Sequence, residues 1–537
     1  MGNVTALERW KVGRSLWQHG LALLALSILP TVQLSSQVLA PRDSALHVLN
    51  RLAYGPRPGE ADSVARLGVL RWIEQQLRPE RLRDDRRAER ERAFKLLDYD
   101  REELAQRYTD ALRERRQMQR ELAATGDTMR PRGVGAGPMR ELRDLGGQLQ
   151  QLAVVRATLS ERQLYEVMVD FWTNHFNVFV GKGADRFLTP SYIEETIRPH
   201  ALGRFEDLLI ATAKSPAMLF YLDNAQSIAP EASPPFQRVR PERMPRGINE
   251  NYARELMELH TLGVDGGYTQ QDVIEVARIF TGWGIERPQQ GASFAFRDWA
   301  HDRGAKTVLG VRFPAGHGMD EGIRLLKLLA DQHATMHHVS RKLCARFVAD
   351  EPPDGCVDAA VDAWHASGGD IRAVLRAIFT SPDFWAPQAV RAKVKTPYES
   401  VVSAVRAAGA EPDDSPRLAQ VVARLGQPLY LQAAPTGYPE TQADWVNSGA
   451  LLGRMNAAVA LAAVRLPGAQ GNLDAVVAAS SDHERLVADV DARVLGGTMT
   501  AHTRTVILEQ LADVSDPVQA RALAVGLALG GPEFQRQ

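Results

Sequence analysis

Helix-start signals recur along the chain and constrain its fold more than any other feature. A hydroxyl residue directly before a proline suits the N-cap and the first turn of an α-helix. Thr269, followed three residues later by Asp272, imitates a capping box, and Ala, Leu, Arg and Glu dominate long stretches. The sequence therefore predicts a mainly α fold, a large multi-helix globular domain. The hydroxyl–proline pairs are Thr189-Pro190, Ser215-Pro216, Ser381-Pro382 and Thr396-Pro397.

Size and charge exclude some classes of protein. The chain has 537 residues, of which 45% are hydrophobic, enough for a large buried core. Lys and Arg number 64 and Asp and Glu number 65, which gives a net charge of -1. A chain so nearly neutral has no long-range attraction to nucleic acid or to an anionic membrane. We therefore expect no nucleic-acid partner.

Residues 1–40 have the pattern of a secretory signal peptide. Basic residues precede an apolar run over residues 20–34, and the small residue Ala40 ends a candidate cleavage site. The run is short for a bilayer span, so we expect a periplasmic or secreted protein with no stable membrane span after cleavage. Pro41 is a poor residue to follow a cleavage site, which leaves an uncleaved membrane anchor as the alternative. The basic residues are Arg9, Lys11 and Arg14.

Two cysteines, Cys344 and Cys356, are the only ones in the chain. In an oxidising compartment a single bridge between them is one interpretation, clamping one helix to the next. Two separate buried thiols that pack as small hydrophobes are the other. The spacing leaves both interpretations open.

Residues 41–537 are expected to form a single large helical domain with three distinctive segments. Two amphipathic helices over 44–77 come first, separated by GPRPG. Residues 79–159 are rich in Arg and Glu and predict a protruding charged helical hairpin, either a partner-binding arm or simply a solvated one. Residues 284–314 predict a small β-hairpin insertion, because apolar and β-branched residues alternate there. Residues 424–448 predict an ordered loop rich in Pro, Gly and aromatic residues.

Several segments resemble the bacterial family known as domain of unknown function 1800 (DUF1800), over nearly the whole chain from about residue 44. They include LNRLAYGPRPGE, FWTNHFNVFVGKGADR, NENYARELMELHTLGVDGGYTQQDVIEVARIFTGW and GQPLYLQAAPTGYPETQADWVNSGALLGRMN. The resemblance implies export, because members often carry export signals, but it supplies no reaction and no catalytic residue. It also implies a partner, since the family is often encoded beside exported proteins that are similar to sulfatases.

A dense polar cluster lies on two predicted helices. On the first, His175 continues an apolar stripe at helical spacing, while Asp170, Asn174 and Asn177 occupy the neighbouring face. On the second, Asn251, Glu255 and Glu258 share one face. His260 lies about 140° around that helix from Glu255 and joins the apolar residues instead. A metal site must therefore be assembled between helices, as in helical-bundle carboxylate sites.

A purely structural interpretation of this cluster competes with the functional one. Glu250, Arg254 and Glu258 stand four apart and suit a ladder of ion pairs on a helix surface. His175 and His260 suit core histidines that bond a backbone carbonyl or an Asn. The functional interpretation depends on the number of polar groups that are hard to bury beside apolar neighbours.

The leading hypothesis is an exported enzyme-like protein with a polar inter-helix site, for which metal-assisted hydrolysis is the candidate chemistry. The alternative is a non-catalytic envelope or assembly factor that binds an exported partner through the charged arms. The candidate catalytic residues are His175, Glu255, Glu258 and His260, of which His175, Glu255 and Glu258 are the candidate ligands of a divalent metal. The candidate substrate-binding residues are Asn174, Asn177, Lys182, Asp185, Arg186 and Arg254. Tyr438 and Trp445 are candidate aromatic platforms for an anionic or sugar-like substrate.

Overall fold

The structure is a computed structural model that describes residues 39–125, 138–232, 247–286 and 292–537. The predicted signal peptide lies outside these ranges except for Leu39 and Ala40. The described chain from Leu39 onward forms one compact unit. None of its described helices is both long enough and apolar enough to cross a membrane. The fold is mainly α, as predicted, with only short two-stranded sheets among the described residues.

The N-terminal segment forms three helices where the sequence predicted two. Helix α1 packs against α2, with the GPRPG turn between them. The second predicted helix is divided at Gly68, whose φ of 91° lies in the left-handed region that glycine tolerates. The bounds are α1 Pro41–Arg51, α2 Glu60–Leu67 and α3 Val69–Gln76.

Two long helices lie in the segment predicted as a charged hairpin, with bounds that differ from the prediction, and the connection between them lies outside the described residues. The first arm, α5 Arg101–Thr125, begins well after residue 79, because α4 Asp85–Glu91 and short 3-10 turns precede it. The second arm is α6 Pro138–Leu159, and it packs against both α4 and α5. From Leu145 onward α6 contributes buried residues to the main core. Only the distal parts of the two arms are therefore free to act as a charged surface.

The middle of the chain supplies the helices that carry most candidate residues. Two π-helical segments, Tyr192–Ile197 and Leu256–Thr261, follow α8 and α12 and widen the helical turn there. The bounds are α7 Gln163–His175, α8 Asp185–Ser191, α9 Arg198–His200, α10 Phe205–Lys214, α11 Pro216–Tyr221, α12 Glu250–Glu255 and α13 Gln270–Ile279.

The predicted β-hairpin insertion contains two antiparallel hairpins. Strand β1 Trp283–Glu286 pairs with β2 Ser293–Phe296, and Trp283 lies opposite Phe296. Strand β3 Lys306–Val308 pairs with β4 Val311–Phe313. We call residues 283–313 the hairpin insertion.

The helices after the insertion include one covalent cross-link. Cys344 on α15 forms a disulfide with Cys356 on α16, with their Cα atoms 6.3 Å apart. The bridge interpretation of the two cysteines is therefore the one the structure bears out. The bounds are α14 Met319–Ala330, α15 His333–Phe347, α16 Asp354–Ser367, α17 Ile371–Thr380 and α18 Pro397–Ala407.

The C-terminal part returns to helices after a long connection. Residues 425–441 connect α19 to α20 without regular secondary structure, and we call them the roof loop; the rest of the segment predicted as a loop, 424–448, contains α20. The bounds are β5 Glu411–Pro412, α19 Arg417–Arg424, α20 Gln442–Trp445, α21 Ser448–Ala462, β6 Ala469–Gln470, α22 His483–Val490, α23 Ala501–Leu511, α24 Pro517–Gly530 and α25 Pro532–Gln535. Strands β5 and β6 pair antiparallel.

The helix-start signals are correct where the hydroxyl residue is free to be an N-cap. Thr269 and Thr396 each form a complete capping box, and Ser215 precedes α11, although its side chain makes no capping bond. The prediction at Thr189 is wrong, because Pro190 lies inside α8 and the Thr189 hydroxyl donates to the carbonyl of Asp185. The prediction at Ser381 is also wrong, because this residue ends α17.

Candidate functional site: a cleft beneath the roof loop

Helix α7 directs polar side chains to two of its faces. His175 is 2% exposed and continues the buried stripe of Met168 and Trp172, as the helical spacing predicts. Asp170 and Asn174 are half-buried on another part of the helix surface. One short helix therefore contributes to two adjoining cavities.

Asn174 and Asn177 bind the backbone of the roof loop. The Asn174 amide donates to the Tyr438 carbonyl at 2.8 Å, and its oxygen accepts from the Tyr438 N–H at 2.6 Å. Asn177 donates to the carbonyls of Gln432 and Ala434 at 3.0 and 2.8 Å. These two candidate substrate-binding residues therefore hold the loop in place over the cleft.

Gly437 makes the close approach of the roof loop to α7 feasible. A Cβ atom at this position would lie 2.3 Å from the backbone oxygen of Asn174, and the residue has a φ of +73°. Any side chain would push the loop away from α7 and would strain the backbone. The loop and α7 therefore form one fitted surface.

The first cavity, the acid compartment, has a volume of about 70 Å³ and is bounded by α7, the start of α18 and the roof loop. Its charged lining residues are mostly paired. Glu166 and Arg198 share two bonds of 2.8 Å. Arg346 pairs with Glu399 at 2.5 Å, and Lys393 pairs with Asp350 at 2.5 Å. These ion pairs hold the charged side chains in place, so that they form the walls of the cavity. The remaining lining carboxylates are Asp170 and Glu440.

Asp170, like Glu440, differs from the paired charged groups of the acid compartment because its carboxylate has no hydrogen bond or ion pair among the described residues. Burial raises the pKa of Asp170 to about 7, Arg346 opposes that rise, and Glu440 and Glu399 add to it. The charge of Asp170 also acts on the buried hydroxyls of Tyr54 and Tyr398. Asp170 is thus a carboxyl group that changes charge near neutral pH in a polar cavity.

The second cavity, the histidine compartment, has a volume of about 210 Å³ and lies on the other side of Asn174. Lys342 of α15 places its amine 3.0 Å from His175 Nδ1. The other ring nitrogen, Nε2, lies 3.2 Å from the carbonyl of His260. Because a carbonyl oxygen only accepts, Nε2 carries the proton and Nδ1 accepts from the Lys342 amine. Both compartments share Asn174, Tyr438, Pro439 and Glu440 as lining residues.

Burial lowers the pKa values of the basic groups near this compartment. Burial lowers the pKa of His175 well below its ordinary value, and Lys342, His260 and His338 lower it further. Burial and then Lys342 and His338 lower the pKa of His260 to about 3. Burial also lowers the pKa of Lys342. The two histidines are therefore held as neutral imidazoles, and His175 has both ring nitrogens hydrogen-bonded.

The carboxylates of the second predicted helix do not line either compartment. Glu255 and Glu258 are half-buried, whereas His260 is 2% exposed. Burial and Glu258 raise the pKa of Glu255, and Tyr268 donates to Glu258 at 3.5 Å. Arg254 bonds Glu250 at 3.3 Å, which realises one step of the surface ladder. His175 thus meets His260 but neither carboxylate.

The segment after α7 lies apart from both compartments. Lys182 pairs with Asp223 at 2.7 Å and donates to the Tyr221 carbonyl at 2.6 Å. Asp185 is fully buried, neither of its oxygens has a hydrogen bond, and burial raises its pKa well above the ordinary value. Arg186 is exposed. These side chains do not face the substrate space of the cleft.

The predicted metal ligands do not converge. Across the described ranges, no three or more His, Cys, Asp or Glu side chains form a group that suits a metal ion, and His175, Glu255 and Glu258 are no exception. The π-helical turn at Leu256–Thr261 buries His260 with the apolar residues, while Glu255 and Glu258 remain at the edge. The metal interpretation of these three residues is therefore not supported by their arrangement.

Sequence reasoning missed Lys342, Arg346 and Glu440 as residues of the cleft. Lys342 and Arg346 stand four apart on α15 and face the two compartments. Two basic residues at helical spacing among the apolar residues of HHVSRKLCARF were the available signal. Asp170 was visible on the correct face of α7, but its lack of a partner was not.

The comparisons with known proteins give one family and no individual relative. A family model described as "Protein of unknown function (DUF1800)" matches residues 47–536. No curated protein and no solved structure matches the chain. The match includes every residue of both compartments.

Proposed function

The chain belongs to the DUF1800 family of proteins of unknown function, and from this premise we propose that it is an exported acid–base enzyme acting in the cleft beneath the roof loop. The observation that carries the proposal is the Asp170 carboxyl, which lines a polar cavity without a hydrogen-bond partner among the described residues. Removing a carboxylate from water without giving it a partner is costly, which supports a role for this group in chemistry rather than in stability.

Export to the periplasm or beyond is part of this proposal. The pattern of residues 1–40 supports a signal peptide. The Cys344–Cys356 bridge between α15 and α16 supports an oxidising compartment, because disulfides rarely persist in the cytosol.

Asp170 is suited to give and take a proton within one reaction cycle. A carboxyl group whose pKa is about 7 is present in both forms at neutral pH, the condition under which general acid–base catalysis is most efficient. Hydrolysis requires a proton to leave the attacking water and a proton to reach the leaving group. We assign both transfers to Asp170, and we assign the orientation of the water or substrate to the Lys342 amine, which His175 holds at 3.0 Å.

The size of the cleft limits its substrate. Volumes of about 70 and 210 Å³ are each below the roughly 300–1,000 Å³ of sites for drug-sized ligands. A small polar molecule, or one terminal unit of a larger one, fits such a space. Tyr438 and Glu440 border both compartments and are placed to contact it.

The test compares hydrolysis by the full-length wild type, Asp170→Asn and the control Asp358→Asn, whose side chain is exposed on α16. The substrates are small chromogenic esters, phosphates, sulfates and glycosides. We expect one class to be hydrolysed by the wild type and by the control, with at least about a 100-fold lower rate for Asp170→Asn. Full activity of Asp170→Asn, or full complementation of a deletion strain by it at normal abundance, contradicts the proposal.

A second candidate function is attachment of an exported partner to the charged arms. From residue 112 to the end of α5 no described side chain is buried, although the helix continues to Thr125. A sulfatase-like exported protein is the partner that the family resemblance favours. The test uses a variant that lacks residues 112–144 only, because α6 contributes buried residues to the core from Leu145 onward. Loss of every co-purified partner from this variant supports attachment, and retention of all of them excludes it.

A further inference from the structure

A third cavity, which shares no lining residue with the acid or histidine compartments, has a volume of about 360 Å³. This volume is within the range of sites that hold small organic ligands. Leu46 of α1, Val494 and Phe534 supply apolar walls, whereas Arg391 and Lys395 supply positive charge. The cavity is therefore suited to a ligand that has both an apolar part and a polar or anionic part.

Lys395 is a buried amine on the wall of this cavity. The residue is 2% exposed, and its Nζ donates to the Phe534 carbonyl at 2.8 Å. The same nitrogen lies 3.8 Å from the centre of the Phe534 ring. No carboxylate forms an ion pair with it among the residues that the structure describes. An amine has more hydrogens than this one carbonyl accepts, so Lys395 retains capacity for a ligand.

The surroundings of Lys395 favour its neutral amine relative to its ammonium form. Burial lowers its pKa to about 7, Glu399 opposes this, and Arg391 and Arg454 add to it. Glu399 is already paired with Arg346 at 2.5 Å. The other titratable or charged lining groups are Asp43, His47, Glu533 and Arg536. Of these, Glu533 accepts hydrogen bonds from Thr500 and Thr503 with one carboxylate oxygen.

Lys393 provides an internal comparison. It stands two residues earlier and is also 2% exposed, but its amine pairs with Asp350 at 2.5 Å and lines the acid compartment. One buried lysine thus has a carboxylate partner. The other faces an open cavity with two arginines nearby, the environment in which a lysine amine is nucleophilic.

We propose that Lys395 forms an imine with a small carbonyl compound bound in this cavity. The amine lone pair attacks the carbonyl carbon to give a carbinolamine. The nitrogen loses two protons in all, the former carbonyl oxygen leaves with them as water, and a C=N bond remains. No oxidant or reductant is consumed. Arg391 and Arg536 favour a carbonyl compound that also carries an anionic group, an oxo acid.

The test uses the full-length protein with glyoxylate and borohydride, followed by peptide mapping. We expect the reduced adduct on Lys395 at pH 7 to exceed that on any exposed lysine by at least about 10-fold. At pH 7, a lysine with a pKa near 7 has a roughly 1,000-fold larger neutral fraction than an ordinary lysine, so an excess of about 10-fold in labelling is well within that ratio. The yield on Lys395 falls as the pH drops from 8 to 6. A yield no greater than that of exposed lysines overturns the proposal.

Two variants separate reactivity from folding. Lys395→Arg abolishes the adduct at this position, and Leu46→Trp fills the cavity and reduces labelling of Lys395 while keeping the amine. Circular dichroism checks that both are folded. The wild-type pH profile needs no variant, so the proposal is tested even if both substitutions unfold the chain. Equal labelling in Leu46→Trp and the wild type shows that the cavity plays no part, and this also overturns the proposal.

Discussion

The hairpin insertion and the cleft beneath the roof loop both contain charged side chains with little exposure to solvent. These charges are paired in the insertion, whereas not all of them are paired in the cleft. In the insertion, Lys306 bonds Glu321 at 2.7 Å, and Arg278 bonds Asp302 at 2.7 Å. Burial acts to raise the pKa of Glu321, but hydrogen bonds from His301 and Lys306 outweigh burial and hold the pKa below its ordinary value. In the cleft, Asp170 has no such partner among the described residues, and its pKa is raised. The two regions therefore differ in the pairing of their buried charges and not in burial alone.

The largest expected effect comes from removing one partner in the insertion. Lys306→Met leaves the Glu321 carboxylate buried without its ammonium partner, so the free energy of unfolding falls by about 3–5 kcal/mol. Chemical denaturation measures this. The matched control is Lys327→Met on α14, whose pair with Glu206 at 3.2 Å is on the surface. The control is expected to cost less than about 1 kcal/mol, and equal losses would remove the distinction between the two environments.

In the cleft, we expect substitution of the charged residue to raise the free energy of unfolding rather than to lower it. The pKa of Asp170 is about 7 in the fold and 3.8 when unperturbed. The folded state therefore holds this proton more tightly, and its stabilising contribution is complete below pH 4 and is lost as pH rises through 7. An asparagine side chain cannot ionise, so Asp170→Asn becomes more stable than the wild type between pH 4 and 8, by at most about 4 kcal/mol.

Thermal unfolding at pH 4, 6 and 8 measures this trend, with Asp358→Asn on the surface of α16 as the control that stays close to the wild type at each pH. A difference between Asp170→Asn and the wild type that does not depend on pH would show that Asp170 is not strained by burial. A gain in stability together with a loss of hydrolysis would show that the cleft gives up stability for chemistry.

The smallest expected effect is on the roof loop. Gly437→Ala places a Cβ against the Asn174 backbone oxygen and lowers stability by about 1–3 kcal/mol. Gly310→Ala in the insertion is the matched control, since its φ of +75° is nearly the same but no atom lies within 4 Å of the added Cβ. Hydrogen exchange of residues 425–441 is expected to rise only in Gly437→Ala. Equal exchange in both variants would show that the loop is not held by its fit to α7.

Features of the structure that depend on residues close together in the sequence could be predicted. The capping boxes at Thr269 and Thr396 are confirmed, and α7 places His175 on its buried stripe. The helix-start signal gave a wrong prediction where the residues around it form a different local structure, as at Pro190, which lies inside α8. Gly68 likewise divided a pattern that is typical of one helix.

The cleft could not be predicted, because its contacts join distant parts of the chain. His175 and Lys342 are separated by 167 residues, and Asn174 and Tyr438 by 264. Helical spacing shows which face of α7 a residue occupies, but it does not show which element covers that face. The pairing of Glu166 with Arg198 and the isolation of Asp170 are equally invisible in the sequence.

The disulfide connects the redox state of the surroundings to the geometry of both compartments. Cys344 lies between Lys342 and Arg346 on α15, so the covalent link to α16 anchors the helix that supplies an amine to one compartment and a guanidinium to the other. A copy of the chain held among reduced glutathione lacks this tether. In such a copy, packing alone holds α15 against α16.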